Sequence, residues 1–112
     1  MRIKLIQGEA KPVTLKVTEK GKPVPIPPEA ILLLGVKKNK EDTAYVFTIE
    51  DADFNRSQAD RGILSFYLTT EQTNNSPGIY MAQLKITFTA GPPEETEKTD
   101  PFEIEIEKAI VT

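Results

Sequence analysis

Asp51, Asp53, Asn55, Ser57 and Asp60 offer side-chain oxygens at near-alternate positions of one polar run. Hard oxygen ligands at that spacing suit calcium, and the start of the run resembles an EF-hand loop. Arg56 then occupies the place of the turn glycine, and Gly62 stands where a bidentate glutamate would close the site. No helical pattern flanks the segment. Asp and Asn also stabilise turns through side-chain bonds to nearby backbone, so a polar hairpin loop is the better account of the run.

Glu103, Glu105 and Glu107 place carboxylates on one face of a strand at intervals of about 7 Å. Carboxylate pairs that do acid–base chemistry on sugars face each other across a cleft, which a row on one strand cannot do. The row is expected to make cross-strand ion pairs, to guard a sheet edge, or to serve as an acidic contact strip for a partner. Lys22, Pro25 and Pro28 fit a basic-x-x-Pro-x-x-Pro pattern of the kind SH3 domains read in polyproline form. Prolines also block strand extension, and a rigid connector is the simpler reading. Both segments stand as candidate partner contacts. Glu94 to Asp100 reads as a solvated loop tip. Tyr45, Tyr67 and Tyr80 could form a stacking surface only if the fold gathered them. Tyr80 follows Pro77-Gly78-Ile79 at a strand start, where it is expected to plug one end of the core with its hydroxyl on a backbone group.

The chain has no cysteine and no histidine. It therefore offers no thiolate nucleophile, no disulfide framework and no imidazole base or ligand. No catalytic residue, metal or cofactor is assigned, and a non-enzymatic role is expected. A net charge of −3 and a single lysine-rich turn, Lys37-Lys38-Asn39-Lys40, give no basic face for nucleic acid. No apolar run approaches the ~18 residues of a membrane helix, and the N-terminus lacks a signal-peptide core. Cytosolic synthesis of one domain spanning 1–112 is the expectation.

What must position these residues is a set of short strands. Arg2–Gln7 reads as a short first strand, and period-two alternation marks Val13–Val17, Thr43–Ile49, Gly62–Leu68, Tyr80–Thr89 and Phe102–Glu107. Ala30–Lys37 is apolar on both faces and is expected to be the most buried strand. A helical turn is expected around Thr70–Thr73, and Glu50–Arg61 reads as a polar connection. The last two strands are expected to form a hairpin about the Gly91-Pro92-Pro93 to Asp100 loop. Leu84 would then lie opposite Ile106, Ile86 opposite Ile104, Phe88 opposite Phe102 and Lys85 opposite Glu105, or two residues away, because an odd slip turns apolar side chains into water. About seven strands at this spacing predict an all-β, immunoglobulin-like two-sheet antiparallel β-sandwich.

Several stretches share a layout with a known family. Gly8-Glu9 precedes a strand, Thr14 to Val17, and a turn, Gly21-Lys22-Pro23-Val24. Ile31 to Lys38 runs into lysines, Gly62-Ile63-Leu64-Ser65-Phe66-Tyr67-Leu68-Thr69 follows, and Pro77-Gly78-Ile79-Tyr80 opens the long late strand before Phe102-Glu103-Ile104. In this layout the chain resembles phage tail and baseplate accessory proteins with a small immunoglobulin-like domain, similar to the N-terminal domain of the upper baseplate protein of lactococcal phages. The resemblance spans nearly the whole chain. Glu9 stands for the usual aspartate, 22–28 is richer in proline, and 50–61 is longer than the usual turn. It implies a structural module of a phage or prophage tail that contacts other tail subunits, with a virion location and homo-oligomers compatible. The alternative is a ligand-binding sandwich for carbohydrate or a calcium-dependent partner.

Overall fold

Alternating Leu, Ile, Val and Phe decide which face of each strand turns inward, and the pairing follows from burying those faces together. The computed structural model describes residues 2–89 and 94–111. In chain order its elements are β1 (Arg2–Ile6), β2 (Lys11–Lys16), the short β3 (Thr18–Glu19) and β4 (Lys22–Pro23), β5 (Ile31–Lys37) and β6 (Phe47–Ile49). Two 3-10 turns, Asp51–Asp53 and Ala59–Arg61, lead into β7 (Ile63–Leu68). A one-turn helix α1 (Thr70–Thr73), β8 (Gly78–Phe88), β9 (Glu95–Lys98) and β10 (Phe102–Glu107) complete the order. Among the described residues no helix is long and apolar enough to cross a membrane.

The protein is all-β, with its strands in more than one sheet. The main sheet runs β1-β10-β8-β5-β6, with β9 pairing β8 beyond the end of β10. β1 runs parallel to β10, and the other neighbours in that order are antiparallel. The small sheet is β2 against β7, with Val13 opposite Phe66 and Leu15 opposite Leu64. Leu32, Leu34 and Val36 of β5, Ala82, Leu84 and Ile86 of β8, and Ile104 of β10 share one buried cluster with Leu15, Leu64 and Leu68 of the small sheet. The outer face of β5 is less buried than its sequence suggests: Ile31 is 51% exposed.

The final pairing differs from the expected hairpin. Glu95–Lys98 is strand rather than loop and occupies the far half of β8, with Glu97 opposite Ile86 and Lys98 opposite Lys85. Phe102 lies opposite Ala82, Ile104 opposite Tyr80 and Ile106 opposite Gly78, a slide of six residues along β8 relative to the expected register. Thr99, Asp100 and Pro101 therefore face only Gln83 and Leu84, which is a bulge. Thr99 N–H donates to the Leu84 carbonyl at 2.9 Å, and the Gln83 amide donates to the Thr99 carbonyl at 2.8 Å. The bulge accepts Pro101, which has no N–H to contribute to a ladder. An even slide keeps Phe102, Ile104 and Ile106 inward, so the pattern is satisfied with different partners. The Gly91-Pro92-Pro93 part of the connection lies outside the described residues.

Two further differences have local causes. Only Phe47–Ile49 of the expected Thr43–Ile49 strand is regular. Ahead of it the Tyr45 ring lies over Gly35, where any Cβ would collide with it. Thr69 and Gln72 form a reciprocal capping box that fixes α1, as expected from position 70 onward. Its buried Thr73 donates to the Glu9 carbonyl at 2.7 Å, tying this corner to the β1–β2 turn.

Tyr80 sits just inside β8, 3% exposed, and its hydroxyl donates to the Ser76 carbonyl. Burial raises the phenol above its ordinary value of 10.0. A group whose folded pKa is raised holds its stabilising contribution below the unfolded pKa and loses it as pH rises through the folded one. Thermal melts between about pH 7 and 11 are expected to show an alkaline fall that begins near the ordinary tyrosine pKa. Tyr80→Phe is expected to lose about 1 kcal/mol at neutral pH with its hydrogen bond, and to show a shallower alkaline fall.

Candidate functional site

The three carboxylates of β10 do point to one side, but the chain uses them itself. Glu103, Glu105 and Glu107 stand beside Arg2, Lys4 and Ile6 of the parallel β1. Arg2 Nη2 meets Glu103 Oε1 at 2.7 Å, Arg2 Nη1 meets Glu105 Oε1 at 3.1 Å, and Lys4 Nζ meets Glu107 Oε1 at 3.1 Å. The hydrogen bond and charge of Glu103 raise the Arg2 pKa, and those of Glu107 raise that of Lys4. The expected Lys85–Glu105 pair does not form, because Glu105 lies opposite Ile79.

The Asp51–Asp60 loop is likewise committed to structure. Asp51 Oδ1 accepts the Leu32 N–H at 2.7 Å and also takes Arg56 Nη2. Arg56 donates further to the Ala30 carbonyl at 2.8 Å and the Pro28 carbonyl at 3.3 Å. Asn55 bridges to Ser65, and its side-chain oxygen accepts the Ser57 N–H at 2.9 Å. Asp53 and Asp60 belong to the two separate 3-10 turns. Among the described residues no group of three or more His, Cys, Asp or Glu gathers where it could hold a metal ion.

Lys22, Pro25 and Pro28 are exposed, while Ile26 between the two prolines is 3% exposed and donates its N–H to the Ala59 carbonyl at 2.9 Å. The tyrosines are dispersed. Tyr45 lies over the outer face of the main sheet, Tyr67 is 60% exposed on β7, and Tyr80 is inside.

What the structure does bring together is lysine. Lys37 of β5, Lys40 of the following turn, Lys85 of β8 and Lys98 of β9 line a concavity of about 260 Å³ on the outer face of the main sheet. Leu33, Gly35 and Met81 share its lining, and Lys37 Nζ lies 5.1 Å from the Tyr45 ring centroid, within cation–π range. None of the described residues lining it is acidic, and no ion pair within 4.0 Å among the described residues involves these lysines. Lys85 and Lys98 stand directly opposite each other in the ladder. Like charges in that relation are destabilising. Lys98→Glu is therefore expected to stabilise the protein by about 0.5–1 kcal/mol, with the gain shrinking as salt screens it. Urea unfolding at low and high ionic strength checks this. Half of the cluster is visible in Lys37-Lys38-Asn39-Lys40; Lys85 joins it through the β5–β8 pairing and Lys98 through the β8–β9 register.

Neither a known family description nor a curated protein matches this chain.

Proposed function

We propose that this chain is a non-enzymatic structural and interaction module with an immunoglobulin-like sandwich fold, carried by a phage or prophage tail and docking to other tail or baseplate subunits. The observation that carries the fold part is the corner at Tyr80. A tyrosine just inside a long antiparallel strand, with its hydroxyl on the backbone four residues upstream, resembles the tyrosine corner of such sandwiches and supports this reading. The strand order agrees with it: the first strand runs parallel to the last, and a separate β2–β7 pair contributes to the same core. The tail part rests on the layout from Gly8-Glu9 through Pro77-Gly78-Ile79-Tyr80 to Phe102-Glu103-Ile104. Docking of this kind works through apolar contacts inside a charged rim that sets register and partner choice.

Mass spectrometry of phage particles induced from the source strain, compared with particle-free lysate, tests this reading. A fixed stoichiometry in the particles supports it. Presence in the lysate alone overturns the virion role.

A further inference from the structure

We infer that the lysine-lined concavity on the outer face of the main sheet is a docking site for an acidic segment of a partner protein, one with an apolar or aromatic side chain flanked by Asp or Glu. The inference rests on the docking-module reading and names the chemistry of the partner. Three observations carry it.

First, the charge is concentrated and left uncompensated. In a chain of net charge −3, Lys37, Lys40, Lys85 and Lys98 converge on one hollow with no acidic residue among its described lining. The nearest row of carboxylates, on β10, is already held by Arg2 and Lys4. Second, the arrangement carries a cost in the free protein, because Lys85 and Lys98 face each other across the ladder. An acidic group placed between them removes that repulsion, so binding and the relief of the cost are the same event. Third, the floor is apolar. Leu33 and Met81 line it, and the half-exposed Tyr45 ring stands at its side because Gly35 leaves room for it. An apolar anchor ringed by complementary charge is the anatomy of a protein contact.

Size and surroundings separate this partner from other anions. About 260 Å³ is below the ≈300–1,000 Å³ of enclosed small-molecule pockets. A segment with an apolar side chain also uses the Leu33 and Met81 floor, which a polyphosphate would leave bare.

The test is an NMR titration of the intact chain at low ionic strength with N-acetylated, C-amidated Asp-Glu-Phe-Asp-Glu. Saturable shifts are expected at the Met81 methyl, the Gln83 amide and the lysine side chains of the hollow, weakening as salt is added. Lys37→Gln with Lys85→Gln is expected to weaken binding by about tenfold or more, the loss of roughly one ordinary interaction per site. Lys16→Gln with Lys20→Gln, elsewhere on the surface, leaves it unchanged. Shifts that fail to saturate at millimolar peptide, or an equal loss in both double variants, overturn the proposal. Saturable binding of tripolyphosphate or a thymidine oligonucleotide at these residues, with the peptide silent, overturns it in favour of a phosphate ligand. A silent titration leaves particle incorporation untouched, and absence from particles leaves the titration untouched, so the two readings fail separately.

Discussion

Gly62→Ala is expected to lower the unfolding free energy by about 2–4 kcal/mol, of which roughly 1–2 is the left-handed backbone alone. Gly62 ends the second 3-10 turn at φ 72°, a conformation that side chains other than hydrogen resist. A Cβ there would also lie 2.7 Å from the Val17 carbonyl oxygen and 2.9 Å from that of Val24. Val17 O cannot retreat freely, because it accepts the Val24 N–H at 2.9 Å, while Gly62's own carbonyl accepts the Val17 N–H at 2.7 Å. Relief of the clash thus breaks the joint that leads the small sheet into the β3–β4 hairpin. Gly21→Ala supplies the comparison: its φ is 79°, yet nothing lies within 4 Å of the new methyl. It should lose only the backbone part, about 1 kcal/mol. Urea unfolding of both variants, with unchanged slope, gives the packing part by difference. Equal losses in the two would reject the steric account.

Leu34→Ala is expected to cost about 3 kcal/mol, within the 2–5 seen for buried leucine truncations. Leu34 is fully buried at the centre of β5, opposite Leu84 on one side and Ile49 on the other. Both neighbours are held in ladders, so the vacated volume closes only in part. Set against a total stability of order 5–15 kcal/mol, the loss should lower Tm by roughly 10 °C or more. Leu33→Ala, one residue away but on the half-exposed outer face, should cost less than half as much. A similar loss for both would mean that the outer face is covered by something in solution, which light scattering would reveal.

The faces of the strands were legible because each side chain's burial depends only on its own parity. Leu64, Phe66 and Leu68, or Phe102, Ile104 and Ile106, declare it without reference to a partner. The register of β8 against β10 was not legible, since every even slide preserves that parity. What settles it is the stretch 95–101, where charged residues pair as β9 and a bulge then absorbs one residue before Phe102. Nothing in Glu94 to Asp100 advertises a strand. The same gap hid the candidate site: the Lys85–Lys98 opposition is a property of the ladder, not of either segment. The helical turn at Thr70–Thr73 was readable because its capping residues are local. From sequence Tyr45 reads as a strand residue, because the space that draws it aside is left by Gly35, ten positions earlier.

The parallel pairing of β1 with β10 has a mechanical consequence. Arg2 to Ile6 match Glu103 to Glu107 rung for rung, so tension on the chain before β1 and after β10 pulls the two strands lengthwise past each other. The backbone bonds of the ladder then bear the load together instead of opening one after another, as they would if the two strands were peeled apart from one end. The Arg2–Glu103 and Lys4–Glu107 contacts straddle the same seam and resist the same sliding. A chain held by its two ends in this way has its strongest joint where the force enters.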